Sequence, residues 1–129
     1  MQRAGRAVAL YERAAAPRPV GAVLLLQPPG VAVLAALGVA DRVAARSERI
    51  SRLEGLTRRG RVAFRVDYAW RAPALCGWGV HRAVLFEALY DAARAAGADI
   101  RFGREAAAVE TSGEGALLVG RDGAREGPF

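Results

Sequence analysis

The sequence predicts an α/β fold, on three observations. Ala7 to Tyr11 is a short apolar run closed by the charged pair Glu12 and Arg13, followed by a Pro-rich loop and then by helical spacing. Glu48 to Leu56 and Arg61 to Tyr68 carry alternating apolar and polar residues on either side of a turn at Arg58 to Gly60, a β-hairpin pattern. After a helix over Arg82 to Ala96, short strands joined by Gly turns predict a C-terminal antiparallel β-meander. At 129 residues and 53% hydrophobic, the chain has the length of one small domain and enough apolar surface for a core.

In chain order, Met1 to Arg6 reads as a helix tail closed by Gly5. Ala7 to Tyr11 then reads as a parallel-sheet strand covered on both faces, which places Glu12 at a carboxyl end, where open parallel sheets bind ligands. Pro17 and Pro19 keep Ala14 to Pro19 irregular, and Gly21 breaks the chain before the apolar run Ala22 to Leu26. Pro28, Pro29 and Gly30 precede a helix over Val31 to Leu37, with Val31, Leu34 and Leu37 on one face and Gly38 as its cap. A second short helix is expected over Asp41 to Arg46.

Further on, Ile50, Leu53 and Leu56 mark one hairpin strand, and Val62, Phe64 and Val66 the other. Gly77 and Gly79 flank Trp78 just before the helix Arg82 to Ala96, whose apolar face is Leu85, Phe86, Leu89 and Ala93 and whose end is Gly97. Asp99 to Phe102, Ala106 to Thr111 and Ala116 to Arg121 are the expected meander strands, with turns at Gly113 to Gly115 and Asp122-Gly123. Trp70 and Trp78 are expected as core or pocket-wall aromatics, and His81 as a packed or solvated side chain. No repeat or low-complexity linker interrupts the chain.

Composition removes several functions. The net charge is +6, yet every one of the nineteen basic residues is Arg. With an Ala-Gly-Arg-rich background this is the mark of a GC-rich coding bias, and no basic cluster interleaves with aromatics on one helix face, so no nucleic-acid partner is expected. Cys76 is alone and His81 is the single His, which leaves no internal disulfide and no zinc spacing. The longest apolar runs, Val20 to Leu26 and Val31 to Ala40, fall short of the roughly 20 residues of a membrane span. No signal-peptide pattern follows Met1, and the expected location is the cytoplasm.

The segments Tyr11-Glu12-Arg13, Arg18-Pro19-Val20-Gly21-Ala22, Leu26-Gln27-Pro28 and Val33 to Gly38 occur in the order and spacing of a known family, followed by Gly79 to Leu89 and by Ala95 to Ile100 with Gly103. Over nearly the whole chain this resembles the FAD-dependent aromatic hydroxylases, the single-component flavoprotein monooxygenases. The resemblance implies a partial Rossmann-type FAD-binding domain of the α/β class with a β-hairpin excursion and a C-terminal antiparallel β-meander. It covers residues 1–129 as one incomplete domain, with residues 48–78 as the substrate-side excursion.

The resemblance also implies the site. Glu12 binds the adenosine ribose of FAD and Arg13 flanks it. Gly21 and Ala22 bring backbone to the flavin, Gln27 stands nearby, Arg82 contacts the flavin nucleotide, and the strand beginning at Ala106 presents backbone to the adenine. Arg82 has independent physical support: a cation in the first turn of a helix opposes the macrodipole by up to roughly 1 kcal/mol unless an anion such as a diphosphate shares the position. The implied reaction uses NADH or NADPH and oxygen to hydroxylate an aromatic or similar small molecule, with the hard chemistry carried by FAD. No catalytic residue is singled out, no metal is expected, and the oligomeric state is open.

This sequence departs from the family at Val23, where Gly is usual, and at Pro29, where Asn is usual. The family's Gly-rich phosphate loop, a unit of about 30 residues, has no counterpart before Ala7, and its later flavin motifs have none before Phe129. The expectation is therefore an internal piece that is inactive alone. The alternative is a non-catalytic truncated scaffold or interaction module without flavin.

Overall fold

The computed structural model describes residues 4–18 and 21–129. Among the described residues the strands are β1 (Ala9–Glu12), β2 (Val23–Leu26), β3 (Ser47–Ile50), β4 (Arg52–Leu56), β5 (Val62–Asp67), β6 (Gly77–His81), β7 (Asp99–Phe102), β8 (Ala106–Ser112), β9 (Gly115–Gly120) and β10 (Arg125–Glu126). The helices are α1 (Pro28–Leu37), α2 (Ala40–Ala44) and α3 (Arg82–Ala95), with a 3-10 turn at Tyr68–Trp70. The chain divides into two compact units, residues 1–18 with 93–129, and residues 19–92. The helix tail expected at Met1 to Arg6 and the loop through Pro19 and Val20 lie partly outside the described residues.

In the unit formed by the two chain ends, β1 runs parallel to β7, with Ala9 opposite Asp99 and Glu12 opposite Phe102. This corrects the expected meander: Asp99–Phe102 belongs to the parallel ladder, and the antiparallel sheet is β8-β9-β10, whose third strand is the two-residue β10. A strand of four residues looks the same in sequence whether its partner is parallel or antiparallel, so composition alone could not sort it. β1 also differs from a strand covered on both faces, because Leu10 is 46% exposed. None of the described residues of this unit is fully buried.

Residues 19–92 carry the core. Leu34, Val39, Val43, Val80, Val84 and Ala88 are buried together, with Leu26, Trp78 and Leu85 packed against them. Val43 and Val80 are fully enclosed, worth about 1.5–3 kcal/mol each in removed apolar surface. α1 starts at Pro28, three residues earlier than the spacing suggests, because Pro at the first helical positions lacks only an N–H that the helix does not use. It ends at Gly38, in the left-handed region at φ 75°, which donates its N–H to the Ala35 carbonyl.

The expected strand Glu48 to Leu56 is two strands. Ser51 interrupts it, its carbonyl accepting from the Tyr68 N–H at 3.1 Å. The first half, β3, pairs with β6, and the second, β4, forms the hairpin with β5. β6 itself is the central strand between β2 and β3, although two of its five residues are Gly. At Gly77 a β-carbon would approach Leu25 Cδ1 and the Leu26 carbonyl oxygen to 3.1 Å and Tyr68 Cε2 to 3.3 Å, so this strand needs Gly for room.

On the hairpin the Phe64 ring covers the place of a β-carbon at Gly55, and Val62, Phe64 and Val66 remain exposed. Trp70, expected in a core or pocket wall, is 93% exposed, whereas Trp78 packs on the core. No helix of the described residues is long and apolar enough to cross a membrane.

Candidate nucleotide site

The candidate residues fall into two sets. Glu12, Arg13 and Ala106 lie in the unit of the chain ends; Gly21, Ala22, Gln27 and Arg82 lie in residues 19–92.

Glu12 ends β1. Its carbonyl accepts from the Arg104 N–H at 2.9 Å, and the Gly103 N–H donates to the Ala14 carbonyl at 2.8 Å, so the turn after β7 is tied to the turn after β1. The Glu12 Oε1 accepts from the Ala14 N–H at 2.7 Å, an Asx-like turn that holds the carboxylate at the strand end. Among the described residues no cation pairs with Glu12, nor any carboxylate with Arg13; both are exposed. An ordered carboxylate without a counter-cation is a hydrogen-bond acceptor for hydroxyl donors. Ala106 opens β8 opposite Gly120, just before an irregularity in register that ends at Ala108.

Beneath the other face of β1, Tyr11, Arg101, Arg104 and Glu126 converge. The Tyr11 hydroxyl donates to Glu126 Oε2 at 2.6 Å and accepts from Arg101 at 3.1 Å. Arg101 and Arg104 both pair with Glu126, and Arg101 also donates to Asp99 at 2.8 Å. The Tyr11 hydrogen bond, joined by the two guanidinium charges, lowers the Glu126 carboxyl below its ordinary range. The same hydrogen bond raises the Tyr11 phenol. A cleft of about 180 Å³ beside them, lined by Tyr11, Arg104, Ala106, Arg121 and Glu126, is smaller than the roughly 300 Å³ needed to enclose a drug-sized ligand. The cluster ties β10 to the parallel ladder as a clamp.

In residues 19–92, Arg82 opens α3 directly after β6. Its N–H donates to the Ala22 carbonyl at 3.2 Å. Its guanidinium occupies the space where a β-carbon on Gly21 would lie, and Gly21 has φ 138°, a conformation open to Gly alone. Gly21, Ala22 and Arg82 are thus brought together, with Gly at 21 favoured by its backbone conformation and the arginine lying over it. His81, exposed, accepts the Ala83 N–H on Nδ1 at 3.3 Å and so caps the start of α3. α3 has no acidic residue in its first turn, so its N-terminal end is a positive feature with Arg82 added.

Gln27 precedes α1 at the N-cap position and makes no side-chain capping bond. Its Oε1 accepts from the Tyr68 hydroxyl at 2.6 Å. Sequence spacing connects neither this pair, 41 residues apart, nor Tyr11 with Glu126, 115 apart, and no local signal would have found them. No cluster of metal-ligating side chains occurs among the described residues.

An acidic residue at the carboxyl end of a parallel strand, together with a glycine that admits an arginine at a helix start, is the equipment of a nucleotide-binding α/β protein. The sequence profile described as "FAD binding domain" matches residues 1–127, and the chain belongs to that family. Among solved structures, 2-methyl-3-hydroxypyridine-5-carboxylic acid oxygenase in its tetrameric form is 27% identical with a TM-score of 0.76, over 97% of this chain and 32% of that one. The p-nitrophenol 4-monooxygenase PnpA from Pseudomonas putida DLL-E4 is 19% identical with a TM-score of 0.75, over 96% and 33%. FqzB is 23% identical with a TM-score of 0.72, over 93% and 28%. The chain spans about a third of the length of these structures. No curated protein matches it significantly in sequence.

Proposed function

We propose that this chain is the FAD-binding part of a flavin-dependent monooxygenase that uses NADH or NADPH and oxygen to hydroxylate an aromatic or similar small molecule. The observation that carries the reading is Glu12: a carboxylate ordered at the carboxyl end of β1 by the Ala14 N–H and paired with no cation among the described residues. Such a group accepts from both hydroxyls of a ribose without first breaking an ion pair. Arg13 flanks it, and the backbone at Ala106 serves the adenine. Arg82, fixed over Gly21, supplies positive charge for the diphosphate, while Gly21 and Ala22 bring backbone to the ring system and Gln27 contributes a carboxamide. FAD, when bound, supplies the redox chemistry; these residues bind and orient it. The similar structures named for oxygenation of a hydroxypyridine carboxylic acid and of p-nitrophenol favour a small aromatic substrate. The same reading puts the protein in the cytoplasm, where reduced nicotinamides are available.

A second reading, a scaffold that holds no flavin, draws on one observation. No described residue of the unit bearing Glu12 and Ala106 is buried, so little apolar burial offsets the cost of ordering it around a ligand. Titrating the purified chain into FAD and following flavin fluorescence separates the two. The FAD reading expects saturable quenching that weakens in Glu12→Ala and Arg82→Ala; an unchanged signal with the native chain supports the scaffold.

A further inference from the structure

We propose that Tyr68 is a positioning residue whose hydroxyl locks the Gln27 carboxamide, so that the Gln27 NH2 group is offered as a donor to a carbonyl acceptor of the bound flavin. The proposal rests on the FAD reading above for the identity of the acceptor, and on the geometry of residues 19–92 for the lock.

The N-cap position of a helix usually holds a short side chain that accepts from the N–H groups of the second or third helical residue. Here the first two helical residues are Pro28 and Pro29, which have no N–H. That leaves Gly30 as the N–H a cap could take; Gln27 makes no side-chain capping bond, and its longer side chain is taken by Tyr68 instead. Tyr68 is itself held from three directions. It is 5% exposed, its ring lies against Gly77, where a β-carbon would meet Cε2 at 3.3 Å, and its N–H donates to the Ser51 carbonyl at 3.1 Å. Asp67 caps the 3-10 turn by accepting the Ala69 N–H at 3.1 Å.

The hydroxyl of such a buried ring has one direction to point, and it donates to Gln27 Oε1. A carboxamide whose oxygen is engaged as acceptor has its two N–H donors facing elsewhere. Gln27 is exposed, so those donors are accessible to a ligand. A buried phenol thus sets the polarity of an accessible amide next to the end of β2, without touching the ligand itself.

The composition makes the test direct. The chain has no Asn and two Gln, Gln2 and Gln27, so a proton–nitrogen correlation spectrum of labelled chain contains two side-chain NH2 pairs. One pair is expected to be rigid and shifted, to vanish in Gln27→Ala, and to become mobile in Tyr68→Phe. A mobile Gln27 pair in the native chain, or one unchanged in Tyr68→Phe, overturns the lock. With FAD added, the Gln27 pair is expected to shift in the native chain, and Tyr68→Phe to weaken FAD binding on the order of tenfold, about 1.4 kcal/mol. Gln27→Glu keeps the acceptor for Tyr68 and removes the donors, and is expected to match that loss with the fold intact. Equal FAD affinity of native chain and both variants overturns the positioning role. If the native chain takes up no FAD, the cofactor reading and the proposed acceptor fail together, while the ligand-free spectra still decide the lock.

Discussion

The Arg82 guanidinium lies over Gly21 in the space a β-carbon would fill, and Gly21 adopts φ 138° beneath it. A side chain at 21 therefore meets a strained backbone and has to displace the Arg82 guanidinium. Gly21→Ala is expected to destabilise the chain by roughly 1–3 kcal/mol. In an Arg82→Ala background there is no guanidinium to displace and the strain stays, so the same substitution costs measurably less. Urea denaturation of the four chains of this double-mutant cycle checks it, and additive losses would show that the two residues do not touch.

Glu126 gives the fold an acid limit. Its carboxyl is lowered in the folded chain by the Tyr11 hydrogen bond and by Arg101 and Arg104. A depressed folded value means that the contribution is fully present above the unfolded Glu value and is lost as pH falls through the folded one. Tyr11 acts at the other end: its raised phenol contributes below the unfolded Tyr value and ceases to as pH rises through the folded one. Melting temperatures from pH 7 down to pH 3 are expected to fall less steeply in Glu126→Gln than in the native chain. Parallel curves would remove Glu126 from the clamp.

The two tryptophans report on residues 19–92. Trp70 is almost fully exposed and Trp78 packs on the core. In Trp78→Phe the remaining emission is expected to be that of a hydrated indole, readily quenched by acrylamide. In Trp70→Phe it is expected to be blue-shifted and protected. Equal quenching in both variants would contradict the described core.

Much of this architecture is legible in the residues themselves. Gly38 and Gly97 mark helix ends because left-handed backbone favours Gly, and Glu12 is marked as a strand end by the apolar run before it. The start of α1 is obscured by Pro28 and Pro29, which punctuate loops as readily as they open helices. β6 is hidden because Gly77 and Gly79 weaken every strand signal; Gly77 leaves room for Leu25 and Tyr68. The parallel partner of β1 is 90 residues away, and nothing local in Asp99–Phe102 distinguishes it from a meander strand. At the site, Gly21 and Arg82 are each visible as residues, but their contact is a property of the fold. Trp70 illustrates the converse, since apolar character predicts burial only where something lies over the residue.

Glu12→Gln isolates the charge at the proposed ribose contact. The amide oxygen can still accept from the Ala14 N–H, so the fold is expected to be retained, whereas hydrogen bonds from ribose hydroxyls lose their charged acceptor. FAD affinity is expected to fall by more than tenfold, in line with the roughly 1.5–3 kcal/mol ascribed to hydrogen bonds with charged groups. An unchanged dissociation constant would release Glu12 from the role.

The most direct test of the central claim is calorimetric titration of the native chain with FAD and, separately, with FMN, which shares the flavin and lacks the adenosine. If Glu12 and the strand beginning at Ala106 hold the adenosine half, FAD binds saturably and FMN binds at least tenfold more weakly. Equal affinities for the two, or no heat with FAD, would contradict a site built around Glu12.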